Sequence, residues 1–260
     1  MGIPITPEGM HLFKSYCGID RSTLEKRAIA AREQALQLHR YRFIEAFRFL
    51  HPRIASNPFF SMIPLKKGKI LDVGCGFGTD IRYLALHGAL PSDLFGHDIH
   101  DGFIKLGFDL FTPISGRGNS LESNLTFLIG ALGEGEGEMI KKNKKRSFKW
   151  GDFSHRFQIV HAGSILHLLK KNEGEDLIRK VSTLLQPNGI FIGRTAGAET
   201  PEFPNDGLRT IHSVSSLTNS LERAGFEEIK VVSHERETLK KEEDRVSYLT
   251  LHFYAKLSSS

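Results

Sequence analysis

Hydrophobic and polar positions change period several times along the chain, and each change marks the edge of an element. From Ser22 to Leu50 the apolar residues Leu24, Ala28, Ala31, Ala35 and Leu38 recur at helical spacing. The stretch ends in the aromatic-rich Tyr41, Phe43, Phe47 and Phe49, and His51-Pro52 and Asn57-Pro58 follow as punctuation. A helical leader is predicted over residues 1–60. Lys69 to Val73 is a short apolar run that predicts a strand, and Thr79 to His87, with Ile81, Leu84 and Leu86, predicts a helix. A second strand over Asp93–Ile99, a second helix over Phe103–Phe111, a polar surface insertion over Thr112–Asn124 and a third strand over Leu125–Ile129 come next. Leu217 to Gly225 reads as an amphipathic helix, with further strands at Glu227–Val232 and Val246–Leu257. Strands alternating with helices predict an α/β domain over residues 61–260.

Composition narrows the class. At 260 residues and 40% apolar, the chain suits one large α/β domain with an added leader. No stretch reaches the roughly 18 apolar residues of a membrane span, and Met1 to Met10 lacks a signal-peptide layout, so a cytoplasmic protein is expected. Cys17 and Cys75 are the two cysteines, which leaves neither a disulfide framework nor a cysteine zinc site, and no metal ligands are assigned. The net charge of +5 owes much to the run Lys141-Lys142-Asn143-Lys144-Lys145-Arg146, preceded by the acidic, glycine-rich Gly133 to Glu138. Residues 133–149 are therefore expected to be a solvated, mobile insertion. With no aromatics interleaved before Phe148 and Trp150, nucleic acid is the minority reading for a partner.

The candidate chemistry sits between the first strand and its helix, in Asp72-Val73-Gly74-Cys75-Gly76-Phe77-Gly78-Thr79. Glycines at alternate positions admit positive φ and close main-chain approach, and the N–H groups of the following helix end face the turn. A nicotinamide fingerprint would require glycine where Thr79 stands, so the pattern is D-x-G-x-G-x-G. This resembles motif I of the class I S-adenosylmethionine-dependent methyltransferases. Asp98, which lies 26 residues beyond Asp72, is similar to their motif II ribose-binding acid. Within that resemblance Phe157–Leu169 takes the place of the fourth strand and the element after it. Leu184–Arg194 takes that of a helix end, a Pro-x-Gly turn and the fifth strand. The implied fold is a Rossmann-like sheet of seven strands, the last antiparallel, flanked by helices, with the leader as an N-terminal lid. The implied cofactor is S-adenosyl-L-methionine, touched by Asp72, Gly74, Cys75, Gly76, Gly78, Asp98, Ile99, Ala131, Leu132, His161 and Ala162. Many members place an acid after the third strand; here that place holds Ala131 or Leu132, and Asp152 lies too close to the next strand to replace it.

Within the superfamily the chain is most similar to fungal secondary-metabolite methyltransferases of meroterpenoid and polyketide pathways. The likeness rests on G-x-G-x-D-x-R from Gly76 to Arg82, G-A-L-P-x-x-L-F-G-x-D from Gly88 to Asp98, the run at Gly107, H-A-x-x-x-L-H-L from His161 to Leu168, and His212-Ser213. The resemblance implies O-methylation of a carboxylate or phenol on a hydrophobic small molecule; the oligomeric state is left open by the sequence, with a homodimer as one option. His167, and after it His212, are the candidate catalytic residues, since an imidazole near the emerging methyl can take a proton or orient the acceptor oxygen. A half-buried packing role for each histidine competes with this. Arg194 or Arg209 could pair a substrate carboxylate. Two other functions stay open: a nucleic-acid or protein methyltransferase, and a methyltransferase fold that binds without transfer.

Overall fold

The computed structural model describes residues 2–114, 121–141, 144–201, 209–235 and 249–259. Nine strands form one mixed sheet: β1 (Lys69–Val73), β2 (Leu94–Asp98), β3 (Thr126–Ile129), β4 (Glu136–Lys141), β5 (Lys144–Lys149), β6 (Phe157–Ala162), β7 (Leu185–Gly197), β8 (Phe226–Glu235) and β9 (Leu249–Leu257). Their order is β5-β4-β3-β2-β1-β6-β7-β9-β8. The pairs from β3 through β7 are parallel, and β9 runs antiparallel between β7 and β8. Strand β1 lies near the middle, and four of its five residues are buried, as expected of a parallel strand covered on both faces.

Helices α4 (Thr79–Leu86) and α5 (Asp101–Leu110) follow β1 and β2, α6 (Lys171–Leu184) precedes β7, and α7 (Val214–Arg223) precedes β8. The leader supplies α1 (Pro7–Cys17), α2 (Arg21–Leu38) and the short α3 (Arg42–Glu45). Thr6 Oγ1 accepts the Gly9 N–H at 3.1 Å to start α1, Gly18 ends it at φ +69°, and Asp20 Oδ1 accepts the Thr23 N–H at 2.8 Å to start α2. The helix-like reading of Ser22–Leu50 thus breaks at His39, where the backbone becomes extended.

Alternation along β1 divides the core. Leu71 and Val73 pack with α6 and α7, whereas Ile70 packs with α4, α5 and leader residues Leu12, Phe13, Leu24 and Ala28. The leader shares that second core and does not carry one of its own.

Two sequence expectations need correction. The sheet has nine strands where seven were expected, because the stretch read as a solvated insertion forms the hairpin β4–β5 beside β3. Its acidic and basic runs lie on opposite strands and neutralise one another: Lys145 meets Glu138 at 2.8 Å and Lys149 meets Glu136 at 3.7 Å. Ile140 and Phe148 are buried and fasten the hairpin to the domain. Residues 115–120 of the polar insertion, 142–143 of the hairpin and 246–248 of the last predicted strand lie outside the described residues.

Candidate functional site

The turn between β1 and α4 is built so that only glycine fits at its key points. Gly74, Gly76 and Gly78 have φ of +69°, +54° and +69°, the left-handed region that L side chains avoid. A Cβ on Gly74 would lie 2.4 Å from Ile165 Cγ2, and one on Gly78 would lie 2.6 Å from Arg82 Nη1. The Gly78 N–H closes the turn on the Cys75 carbonyl at 2.8 Å, and the Cys75 N–H reaches the His97 carbonyl of β2 at 2.8 Å.

Asp98 ends β2 opposite this turn. One carboxylate oxygen accepts the Gly76 N–H at 2.9 Å and the other accepts the His100 N–H at 2.9 Å. Two oxygens offer about four acceptor positions, so two further donors can be taken, as a vicinal diol requires. Beside it, Tyr41 stacks on His39 at 3.9 Å and lies 3.4 Å from His100 Nε2, while Phe43 reaches within 3.6 Å of where a Gly76 Cβ would stand. Neither leader aromatic was assigned to the site by sequence reasoning; their place three and five residues after the end of α2 carries no signal of it.

Asp72 and His161 face each other across neighbouring parallel strands, and His161 Nδ1 donates to Asp72 Oδ1 at 2.8 Å with both side chains essentially inaccessible. Burial pushes the Asp72 carboxyl up to about 6 against the opposing pull of His161. Burial depresses His161, but the charge and hydrogen bond of Asp72 outweigh it and leave the imidazole raised. The pair therefore holds a proton between its members near neutral pH. Asp80 of α4 completes the cluster, with candidate donor atoms of the three residues within 4.8 Å of one another. Its Oδ1 accepts the Ile54 N–H of the leader at 2.8 Å. Asp72 Oδ2 is buried without a hydrogen-bond partner. Burial and the neighbouring carboxylates of Asp98 and Asp72 hold the Cys75 thiol well above its ordinary range, which keeps it protonated and unreactive.

The remaining assigned residues are more scattered. Ile99 is exposed at the rim beyond Asp98, Ala131 is exposed in the turn after β3, Leu132 is buried beneath it, and Ala162 is buried at the end of β6. Gly130, in the turn after β3, is tied to β2 by His97 Nε2 at 2.8 Å. Asp152 accepts the Lys149 N–H at 3.3 Å and caps a turn.

Both candidate catalytic histidines come to the end of β7. His167 stands in a single 3-10 turn, Leu166–Leu168, with Nδ1 3.3 Å from Thr195 Oγ1 and accepting the Ala196 N–H at 3.5 Å. His212 bridges to Gly197, its Nδ1 is 3.1 Å from Ser216 Oγ, and burial lowers it, so it is neutral. A cleft of about 570 Å³ is lined by Ser213, the chain neighbour of His212, together with Ala198, Glu199, Val214, Glu235 and Leu249; neither histidine lines it.

A family model described as a methyltransferase domain matches residues 38–231. The chain belongs to the methyltransferase-domain family. The fold is that of the class I S-adenosylmethionine-dependent methyltransferases, extended by the β4–β5 hairpin. Among curated relatives, the domain is 30% identical over 172 residues to O-methyltransferase phiE of a fungal species, covering 64% of this chain and 52% of that protein. It is 26% identical to O-methyltransferase atr3 of Stereocaulon alpinum, covering 85% of this chain and 62% of that protein. It is 27% identical to the Asnovolin E/Chermesin D methyltransferase nvfJ of Aspergillus novofumigatus, covering 76% and 67%. The chain thus spans between about half and two thirds of the length of these relatives. The fold likeness extends to a phosphoethanolamine N-methyltransferase of Haemonchus contortus, solved with S-adenosylhomocysteine, at 13% identity and TM-score 0.54, covering 76% and 51% of the two chains. A SAM-dependent methyltransferase of Archaeoglobus fulgidus gives 15% and 0.54, covering 84% and 100%.

Proposed function

We propose that this methyltransferase domain transfers a methyl group from S-adenosylmethionine to an oxygen of a hydrophobic secondary metabolite. The observation that carries the reading is the site around β1: three left-handed glycines opposite a carboxylate that still has acceptor positions, in a family defined by that cofactor. The residues fit the group. Asp98 would take the ribose hydroxyls, the glycine turn leaves space for main chain to touch the methionine end, and the orphaned Asp72 Oδ2 suits a buried ammonium. When bound, the cofactor supplies an electrophilic methyl on its sulfonium.

What the chain must add is alignment and dryness, and alignment alone can be worth about 7 to 11 kcal/mol in favourable cases. Phe43 over Gly76 and Tyr41 beside Asp98 support a leader that covers the site and keeps water out. The Ala196 N–H faces His167 Nδ1 at 3.5 Å, a contact that favours the neutral tautomer with the proton on Nε2. In that tautomer the imidazole would orient an acceptor oxygen and would not take a proton from it. It therefore favours positioning of an already ionised carboxylate, with a phenol as the second substrate class. Relatives named as O-methyltransferases support oxygen as the acceptor.

The test is incubation with cofactor labelled in its methyl group, a fungal metabolite extract, RNA and bulk protein. Label in an organic-extractable molecule that mild alkali releases supports a methyl ester, and alkali-stable label supports an aryl ether. Label in RNA or protein would overturn the substrate class, and tight binding without transfer would overturn the activity.

A further inference from the structure

Among the described residues Arg82 is the largest side chain buried completely, and a buried charge is costly unless every part of it is matched. Its partners are not arbitrary. Nε donates to Glu122 Oε2 at 2.9 Å and Nη2 to Glu122 Oε1, a forked pair, while Nη1 donates to the carbonyls of Phe77 at 2.7 Å and Gly78 at 3.0 Å. Rings of Phe111, Phe127 and Phe108 stand 4.3, 5.6 and 5.9 Å from the guanidinium carbon. The two carbonyls belong to the glycine turn itself. Because each peptide group is planar with its C=O and N–H opposed, drawing the Phe77 and Gly78 oxygens inward turns the N–H groups of Gly78 and Thr79 the other way. The Gly78 N–H then closes the turn on Cys75, and the Thr79 N–H stands first among the donors of α4.

Glu122 carries the connection outward. Its Oε2 also accepts the Tyr16 hydroxyl at 2.7 Å, across 106 residues of chain, from α1 of the leader. Tyr16 packs edge-on against Phe111 at 5.9 Å, the ring nearest the Arg82 guanidinium, and Phe13 of the same helix stacks on that ring at 4.4 Å. An ion pair serving packing alone would need neither the turn's carbonyls nor the leader's hydroxyl, and apolar residues of similar volume could replace it at little cost.

We infer, on the reading of the glycine turn as the S-adenosylmethionine site, that Arg82, Glu122 and Tyr16 form a relay of positioning residues through which docking of α1 sets the shape of the cofactor turn. Coupling between two binding events is reciprocal, so cofactor binding stabilises the docked leader to the same degree.

The experiment titrates S-adenosylhomocysteine into wild type, Tyr16→Phe and Arg82→Lys by calorimetry, well below each protein's melting temperature so that unfolding does not enter the affinity. Tyr16→Phe keeps the ring and removes the hydrogen bond to the charged Glu122, and the expected result is a Kd raised about 3- to 10-fold. Arg82→Lys keeps the charge but loses the planar fork that makes two bonds to the carboxylate and two to the carbonyls, and a Kd raised more than about tenfold is expected. Affinities within about twofold of wild type in both, whatever the change in melting temperature, would make the network structural only and overturn the inference. Should Arg82→Lys fail to fold, Tyr16→Phe decides alone. If wild type itself shows no binding, the reading of the turn falls, and the relay falls with it.

Discussion

Gly74 and Gly18 share φ +69°, but a Cβ on Gly74 would meet Ile165 Cγ2 at 2.4 Å while one on Gly18 meets nothing within 4 Å. The two glycines therefore separate backbone strain from crowding. Gly18→Ala should cost about 1 to 2 kcal/mol, the penalty for an L residue in the left-handed region. Gly74→Ala should cost that amount plus about 0.5 to 1.5 kcal/mol for driving Ile165 out of its rotamer, and in addition should weaken cofactor binding because the turn must shift. Denaturant midpoints for both variants and calorimetric Kd values for the cofactor provide the comparison. Removing the obstacle offers an internal check. Gly74→Ala with Ile165→Ala should cost less than the sum of the single changes by about 1 kcal/mol. Equal costs at the two glycines, unchanged cofactor affinity, or strict additivity of the double variant would refute the claim that the turn is shaped by close approach of Ile165.

Three further outcomes are expected. Phe148 is buried against Trp150 and Phe153 at 5.1 and 5.4 Å, so Phe148→Ala should cost about 3 kcal/mol of stability, and a cost below about 1 kcal/mol would return residues 133–149 to a solvated insertion. Burial, helped by the charges of Arg194 and His234, lowers His252 from 6.5 to about 4. Its contribution is thus fully present above 6.5 and is lost as the pH falls toward about 4, and the stability of wild type relative to His252→Asn should shrink between about pH 7 and pH 5; a constant difference would contradict this. His167→Ala should lower turnover while leaving the shape of the rate profile parallel to wild type from roughly pH 7 to 9; a lost ionisation would make His167 a base, and an unchanged rate would leave it as packing.

The strand, glycine turn and helix from Lys69 to Leu86 were legible because their signal is local: a short apolar strand, three alternate glycines and a helical period follow within a few residues. The place of Asp98 at a strand end was legible because β2 is equally short and ends on it. Helix α1 falls within the helical leader expected over residues 1–60, but its own bounds were not drawn although Thr6-Pro7 and Gly18 mark its two ends, since its buried Leu12, Phe13 and Tyr16 make a brief pattern. The hairpin was misread because like charges were weighed along the chain, whereas pairing sets them against each other across strands. The Asp72–His161 pair depends on register between strands 89 residues apart, and nothing in either local sequence reports it. Arg82 was visible as a motif letter only. Charged residues are seldom fully buried, so its place beneath the turn, and the part played by Glu122, emerge only when distant segments are packed together.

The central claim is that the β1–α4 turn and Asp98 together hold S-adenosylmethionine, and calorimetric titration of that cofactor into wild type and Asp98→Ala tests it most directly. A single site in wild type is predicted, with affinity reduced roughly 5- to 100-fold in Asp98→Ala, where two ribose hydroxyls lose a buried acceptor. Absence of binding to wild type, or equal affinity in the two proteins, would contradict the account.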